Sequence, residues 1–115
     1  MATIKPKSQQ PRLYERVDFA FACLEKSEPP SILTSSVRLE PSGMVLEMTY
    51  RGDHTYLLRG RRHDSFYEAS TSGPDGPVNA RWTAMENTYV GTWVEAGYDY
   101  LFSFELPRDA VLPPS

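Results

Sequence analysis

Few side chains in this sequence are of types that do chemistry, so their spacing decides what they can do. His54 and His63 each stand beside an aspartate, Asp53 and Asp64. Neighbours in sequence point to opposite sides of a strand, so adjacency alone makes no catalytic dyad. A metal site needs three or four ligands at suitable spacing. Two histidines and the single Cys23 form no such cluster, and no metal or cofactor is expected. Exposed turn histidines are the simpler reading. Cys23 acts as a nucleophile only beside a base; on an apolar stripe it reads as a small core residue. Glu95, Asp99 and Glu105 are the nearest acidic group, and nothing sets two carboxylates face to face. No nucleophile, base and orienting group come into view together, which argues against an enzyme.

The densest positive charge is "LLRGRRHD", with Arg59, Arg61 and Arg62. On a strand Arg59 and Arg61 share a face and can make forked contacts with a carboxylate or phosphate. Tyr56, Phe66 and Tyr67 are near in sequence, and rings beside arginines suit weak single-stranded nucleic-acid binding through Arg59–Arg62. The plainer alternative is a charged strand edge that resists aggregation. "RGD" at 51–53 matches an integrin-recognition tripeptide, but Gly52 and Asp53 suit the centre of a hairpin turn. "SGPDGP" carries prolines where a phosphate-cradling loop needs backbone donors.

The strongest signal is aromatic. Three runs, "VNARWTAM", "TYVGTWVE" and "YDYLFSFEL", are joined by Glu86-Asn87 and Ala96-Gly97. Links this short join antiparallel neighbours, so the runs form a meander. Parity puts Val78, Ala80, Trp82 and Ala84 on one face of the first strand. Tyr89, Gly91 and Trp93 share a face of the second, and Tyr98, Tyr100, Phe102, Phe104 and Leu106 share one of the third. Two-residue turns then set Trp82 opposite Gly91, Gly91 opposite Phe102, Trp93 between Ala80 and Tyr100, and Tyr89 between Ala84 and Phe104. A slip of one residue would turn the aromatic row to water. The glycine lets the flanking rings lie over bare backbone. The opposite face is mostly polar, with an apolar patch of Met85, Val90, Val94 and Leu101 that suits an N-terminal helix or a second subunit.

"GTW", Gly91 to Trp93, resembles the glycine-x-tryptophan element of the calycin superfamily, the lipocalins and avidins. Those are antiparallel barrels that bind small, mostly apolar molecules. The resemblance covers three residues and stands near the C-terminus, whereas those families carry the element on their first strand. No binding site is transferred from it.

The elements that must hold these residues follow from periodicity. Leu13, Val17, Ala20, Phe21 and Leu24 make a helical stripe. This predicts a helix over 12–26, stopped by Pro29 and Pro30. The rival is a strand in which Val17, Phe19, Phe21 and Cys23 alternate with Asp18, Ala20 and Ala22. From residue 31 the texture has period two: "SILTSSVRLE", then Met44 to Tyr50, then His54 to Arg59, then "DSFYEAS". "TSGPDGP" at 71–77 reads as a loop.

At 115 residues, with 23% charged residues, the chain has the length of one domain. The expected organisation is a flexible tail at 1–11, one domain at 12–107 and a flexible tail at 108–115. The net charge of −3 argues against a generic nucleic-acid binder. The polar start has no signal-like apolar run, a lone cysteine makes no internal disulfide, and no window is long enough to span a bilayer. A cytoplasmic protein with no membrane partner is the expectation.

The expected fold is α+β, an N-terminal helix packed on a bent antiparallel β-sheet or small β-barrel of six or seven strands. The expected function is non-catalytic binding of a small, partly apolar ligand on the concave aromatic face. The candidate residues are Trp82, Trp93, Tyr100 and Phe102, with Tyr56 and Arg59 at a polar mouth. A protein-interaction or homodimerisation module is the alternative. Whether the aromatic face is a filled core or a pocket is open at this level.

Overall fold

Alternation of apolar and polar residues extends further toward the N-terminus than the helical stripe suggests. The computed structural model describes residues 12–25, 29–50, 54–108 and 110. Its regular elements are β1 (Arg12–Cys23), β2 (Ser31–Glu40), β3 (Gly43–Tyr50), β4 (His54–Arg62), β5 (Tyr67–Gly73), β6 (Gly76–Met85), β7 (Thr88–Glu95) and β8 (Tyr98–Glu105). These eight strands form a closed antiparallel barrel in chain order, with β8 returning to pair with β1. Closure suits a sheet with one strongly apolar face, because it buries that face and leaves no unpaired edge.

The expected α+β fold with an N-terminal helix is therefore corrected to an all-β barrel, and the strand count rises to eight. No helix occurs among the described residues. The physical reason lies in β1. Leu13 and Leu24, two members of the helical stripe, are exposed, whereas Val17 and Phe19 are buried. An irregularity between Tyr14 and Val17 shifts the register against β2, so the inward set passes from an even to an odd position. β1 pairs with β2 on one side and, through Ala20–Cys23, with β8 on the other. A helix there would leave both neighbours with an open edge. The loop expected at 71–77 is a second correction. Strand pairing continues to Gly73↔Gly76, so only Pro74 and Asp75 turn the chain.

The C-terminal meander has the register that parity implies. Trp82 pairs with Gly91, Gly91 with Phe102, Trp93 with Ala80 and Tyr100, and Tyr89 with Ala84 and Phe104. Ala96 and Gly97 both take positive φ, as a tight two-residue turn between twisted strands requires. At Gly91 a Cβ would collide with the Arg81 carbonyl oxygen and press on Trp82 Cβ and Phe102 Cε1.

The two ends of the barrel differ. At one end, Leu106 is buried and tied to the β6–β7 turn, its N–H donating to Asn87 O at 3.0 Å and its carbonyl accepting from Asn87 Nδ2 at 3.0 Å. Ala110 packs back against the core there. Above this closed end the lumen is filled. Phe19 stacks on Phe104 at 4.3 Å, Tyr89 on Phe104 at 4.9 Å, and Tyr67 on Trp82 at 5.7 Å. The Trp82 indole N–H points at Met44 Sδ, 3.3 Å away. The opposite end carries the β1–β2, β3–β4, β5–β6 and β7–β8 connections and forms a mouth. The expected tail 1–11, residues 109 and 111–115 of the expected C-terminal tail, and the expected 51–53 hairpin turn lie outside the described residues.

Candidate ligand site at the barrel mouth

Strand alternation delivers to the mouth whatever stands at the inward positions nearest the connections. On β1 these are Phe21 and Cys23, on β4 Tyr56, on β7 Trp93 and Glu95, and on β8 Tyr100. Together with Leu33 and Met48 they border a cavity of about 660 Å³, with Asp75 at its rim. That volume lies within the range of small-molecule sites. Phe21 meets Trp93 edge-on at 5.4 Å, and Tyr56 meets Trp93 edge-on at 5.0 Å.

One carboxylate organises the polar side of this cavity. The Tyr56 hydroxyl donates to Glu95, with oxygens 3.0 and 3.2 Å away. The Trp93 indole N–H donates to Glu95 Oε1 at 3.1 Å. The bond from β4 to β7 crosses the lumen above Gly73. A Cβ at that glycine would collide with Glu95 Oε2 and crowd Tyr56 Cε1 at 3.1 Å. β4 and β5 are laddered only next to the closed end, at Arg61↔Glu68 and Arg62↔Tyr67, so this side-chain link joins the wall where no ladder does. Burial first, then the hydrogen bond to Glu95 and the negative charges of Glu95 and Asp75, hold the Tyr56 phenol well above the usual tyrosine range. Tyr56 is therefore a permanent donor at neutral pH. His54 packs edge-on to Tyr56 at 4.6 Å, and its buried Nε2 has no hydrogen-bond partner among the described residues.

The candidate residues divide by depth and by face. Tyr56, Trp93 and Tyr100 border the cavity. Trp82 and Phe102 share the inner face but lie deeper, 1% and 2% exposed, inside the packed aromatic layer. Arg59 stands exposed on the outer wall of β4, opposite Val45, away from the mouth. The polar group at the mouth is thus acidic rather than basic. Glu95 and His54 were not singled out by the sequence reading as site residues, yet both have inward parity. Glu95 follows Trp93 by two, and His54 precedes Tyr56 by two.

Outside the barrel, Arg59 and Arg61 share an exposed face while Arg62 turns inward. Of the rings near them in sequence, Tyr56 and Tyr67 are buried. Phe66 is outside, stacked on His63 at 4.5 Å and covered by the Arg81 guanidinium at 4.9 Å. Arg81 also pairs with Glu68 at 2.7 Å. A groove of about 640 Å³ runs along this outer wall beside Ala20, Ala22, Val90, Thr92 and Leu101. Among the described residues no group of three or more His, Cys, Asp or Glu side chains is placed to hold a metal ion. No helix there is long and apolar enough to cross a membrane.

No family model, curated protein or solved structure matches the chain.

The two concavities differ in chemistry. The outer groove is the more apolar one, lined by Ala20, Ala22 and Gly91 together with Phe66, Leu101 and parts of Trp82 and Phe102. The mouth is enclosed by strands, walled by aromatic rings and equipped with a carboxylate that two indole and phenol donors hold in place. Aromatic walls with a comparable share of polar surface, and a few polar groups that converge, can orient a bound small molecule.

Proposed function

We propose that the chain is a non-catalytic binding barrel that takes a small, partly apolar ligand into its mouth. The observation that carries this reading is the division of the lumen. The closed half is filled by stacked rings, and the mouth half leaves about 660 Å³ around Phe21, Tyr56, Trp93 and Tyr100. Eight-stranded barrels have room for a filled core or for one small ligand. Trp93 borders the cavity and Trp82 lies in the filled half, so the two indoles report separately. In a ligand screen followed by tryptophan fluorescence, the response should persist in Trp82→Phe and vanish in Trp93→Phe. Responses carried by Trp82, or a broad screen with no response, would sink the reading.

A second reading, homodimerisation through the outer wall, is favoured by Met85, Val94 and Leu101, which are 64%, 39% and 47% exposed. Sedimentation equilibrium decides it. A dimer that Leu101→Asp converts to monomer supports it, and a monomer at high concentration removes it.

A further inference from the structure

We infer that the ligand held by the barrel mouth is a protonated amine carrying an apolar group. This rests on the binding reading above and specifies its chemistry. The first ground is an unbalanced charge. Glu95 is half-buried in the lumen and accepts hydrogen bonds from two neutral donors, Tyr56 and Trp93. Among the described residues no Lys or Arg lines the cavity and no cation forms an ion pair with Glu95. A carboxylate drawn out of water without a counter-charge is costly, and a cation entering the mouth removes that cost.

The second ground is that the rest of the lining favours the same sign. Asp75 adds a second negative charge at the rim. The faces of aromatic rings attract cations, most strongly when water is excluded, and Phe21, Tyr56, Trp93 and Tyr100 supply such rings. Burial is the main cause that raises the Tyr56 phenol, and the hydrogen bond to Glu95 and the charges of Glu95 and Asp75 act in the same direction.

The third ground separates an amine from other cations. Glu95 retains acceptor capacity, because a carboxylate offers about four lone-pair sites and meets two donor groups among the described residues. An ammonium N–H can use what remains. A metal ion would want further anionic or imidazole ligands, and no such group is assembled among the described residues. Leu33 and Met48 provide apolar wall for the substituent.

The test uses three isosteric probes with the full chain: 4-phenylbutylamine, 4-phenylbutanol and 4-phenylbutyrate. Binding is read by Trp93 fluorescence and calorimetry at low salt. The amine should bind about tenfold more tightly than the alcohol, as a charge-assisted contact implies, and the carboxylate more weakly than either. Glu95→Gln should cut amine affinity about tenfold and leave the alcohol within about twofold. Asp75→Asn, on an exposed turn, keeps the inference testable if Glu95→Gln does not fold; it should weaken the amine about two- to threefold, with the loss fading as salt is raised. An alcohol that binds as tightly as the amine, or variants that leave the amine unaffected, overturns the charge assignment while the binding reading stands. If none of the three probes binds, the amine inference falls, and the binding reading is decided by the broad screen.

Discussion

Replacing Tyr56 by Phe removes one oxygen from the lumen and tests the link that spans the mouth. The Tyr56 ring is 8% exposed, and its hydroxyl lies 3.0 and 3.2 Å from the two oxygens of Glu95. A hydrogen bond to a charged acceptor contributes roughly 1.5–3 kcal/mol net. Water entering from the mouth would rehydrate part of the freed carboxylate, which places the expected loss at about 1–2 kcal/mol. For a domain of this size that is roughly 4–8 °C in Tm. Urea unfolding at neutral pH should show a lower midpoint with an unchanged slope. A double-mutant cycle with Glu95→Gln should return a coupling of about 1–2 kcal/mol. Gly73→Ala supplies an independent arm. Its Cβ takes the space of Glu95 Oε2, so the carboxylate must swing away. The reduced freedom of the unfolded chain contributes roughly 0.4–1 kcal/mol in the other direction. Overall stability should then change little, while Tyr56→Phe in that background costs almost nothing. Additivity of the Tyr56 and Glu95 substitutions within about 0.5 kcal/mol would refute the reasoning.

Three further outcomes are expected. Burial is the main cause that pushes the Tyr89 phenol up to about 12, with Tyr56 and Tyr67 raised in the same direction. Below pH ~10 both states keep the proton and the full stability is present; above it the unfolded phenol ionises first, so stability falls as pH rises toward 12. Tyr89 should account for roughly 3 kcal/mol of that fall, and Tyr89→Phe should flatten the denaturation profile above pH ~10; an unchanged profile would contradict the assignment. Gly91→Ala should destabilise by about 1–3 kcal/mol, because the Arg81 backbone cannot yield as a side chain can, and a variant as stable as the parent would show that the close approach is not limiting. Cys23 is a half-buried free thiol on the cavity wall, so a bound ligand should slow its alkylation by iodoacetamide; equal rates with and without ligand would place the ligand elsewhere.

The C-terminal meander could be read from local information because both of its determinants are local. Side-chain parity has period two, and a two-residue turn leaves no freedom in register. Trp82, Gly91 and Phe102 align for that reason. The same rule already placed Glu95 on the face of Trp93, and Arg59, three residues from Tyr56, on the opposite face. Glu95 reads from the sequence as one of a scattered acidic group, because a carboxylate near a turn looks solvated; only a hollow mouth gives it a lumen to face. Residues 12–23 were ambiguous for a different reason. Their apolar positions satisfy a period of 3.6 and a period of two, and the irregularity between Tyr14 and Val17 breaks the alternation that would have separated them. The strand won because β8 and β2 each lacked a partner that only β1 could supply.

Residue order, through parity and turn length, carried the aromatic row, its single face and the strand-to-strand register. Closure of the sheet, the strand identity of β1 and the division of the row into a filled half and a hollow half came from contacts between residues far apart in sequence. Leu106 and Ala110 close one end by returning to it, while at the other end Tyr56 and Glu95, from β4 and β7, meet across the lumen. Periodicity repeats along a strand and cannot encode depth. How far each ring lies from a closed or an open end exists only once eight strands surround it.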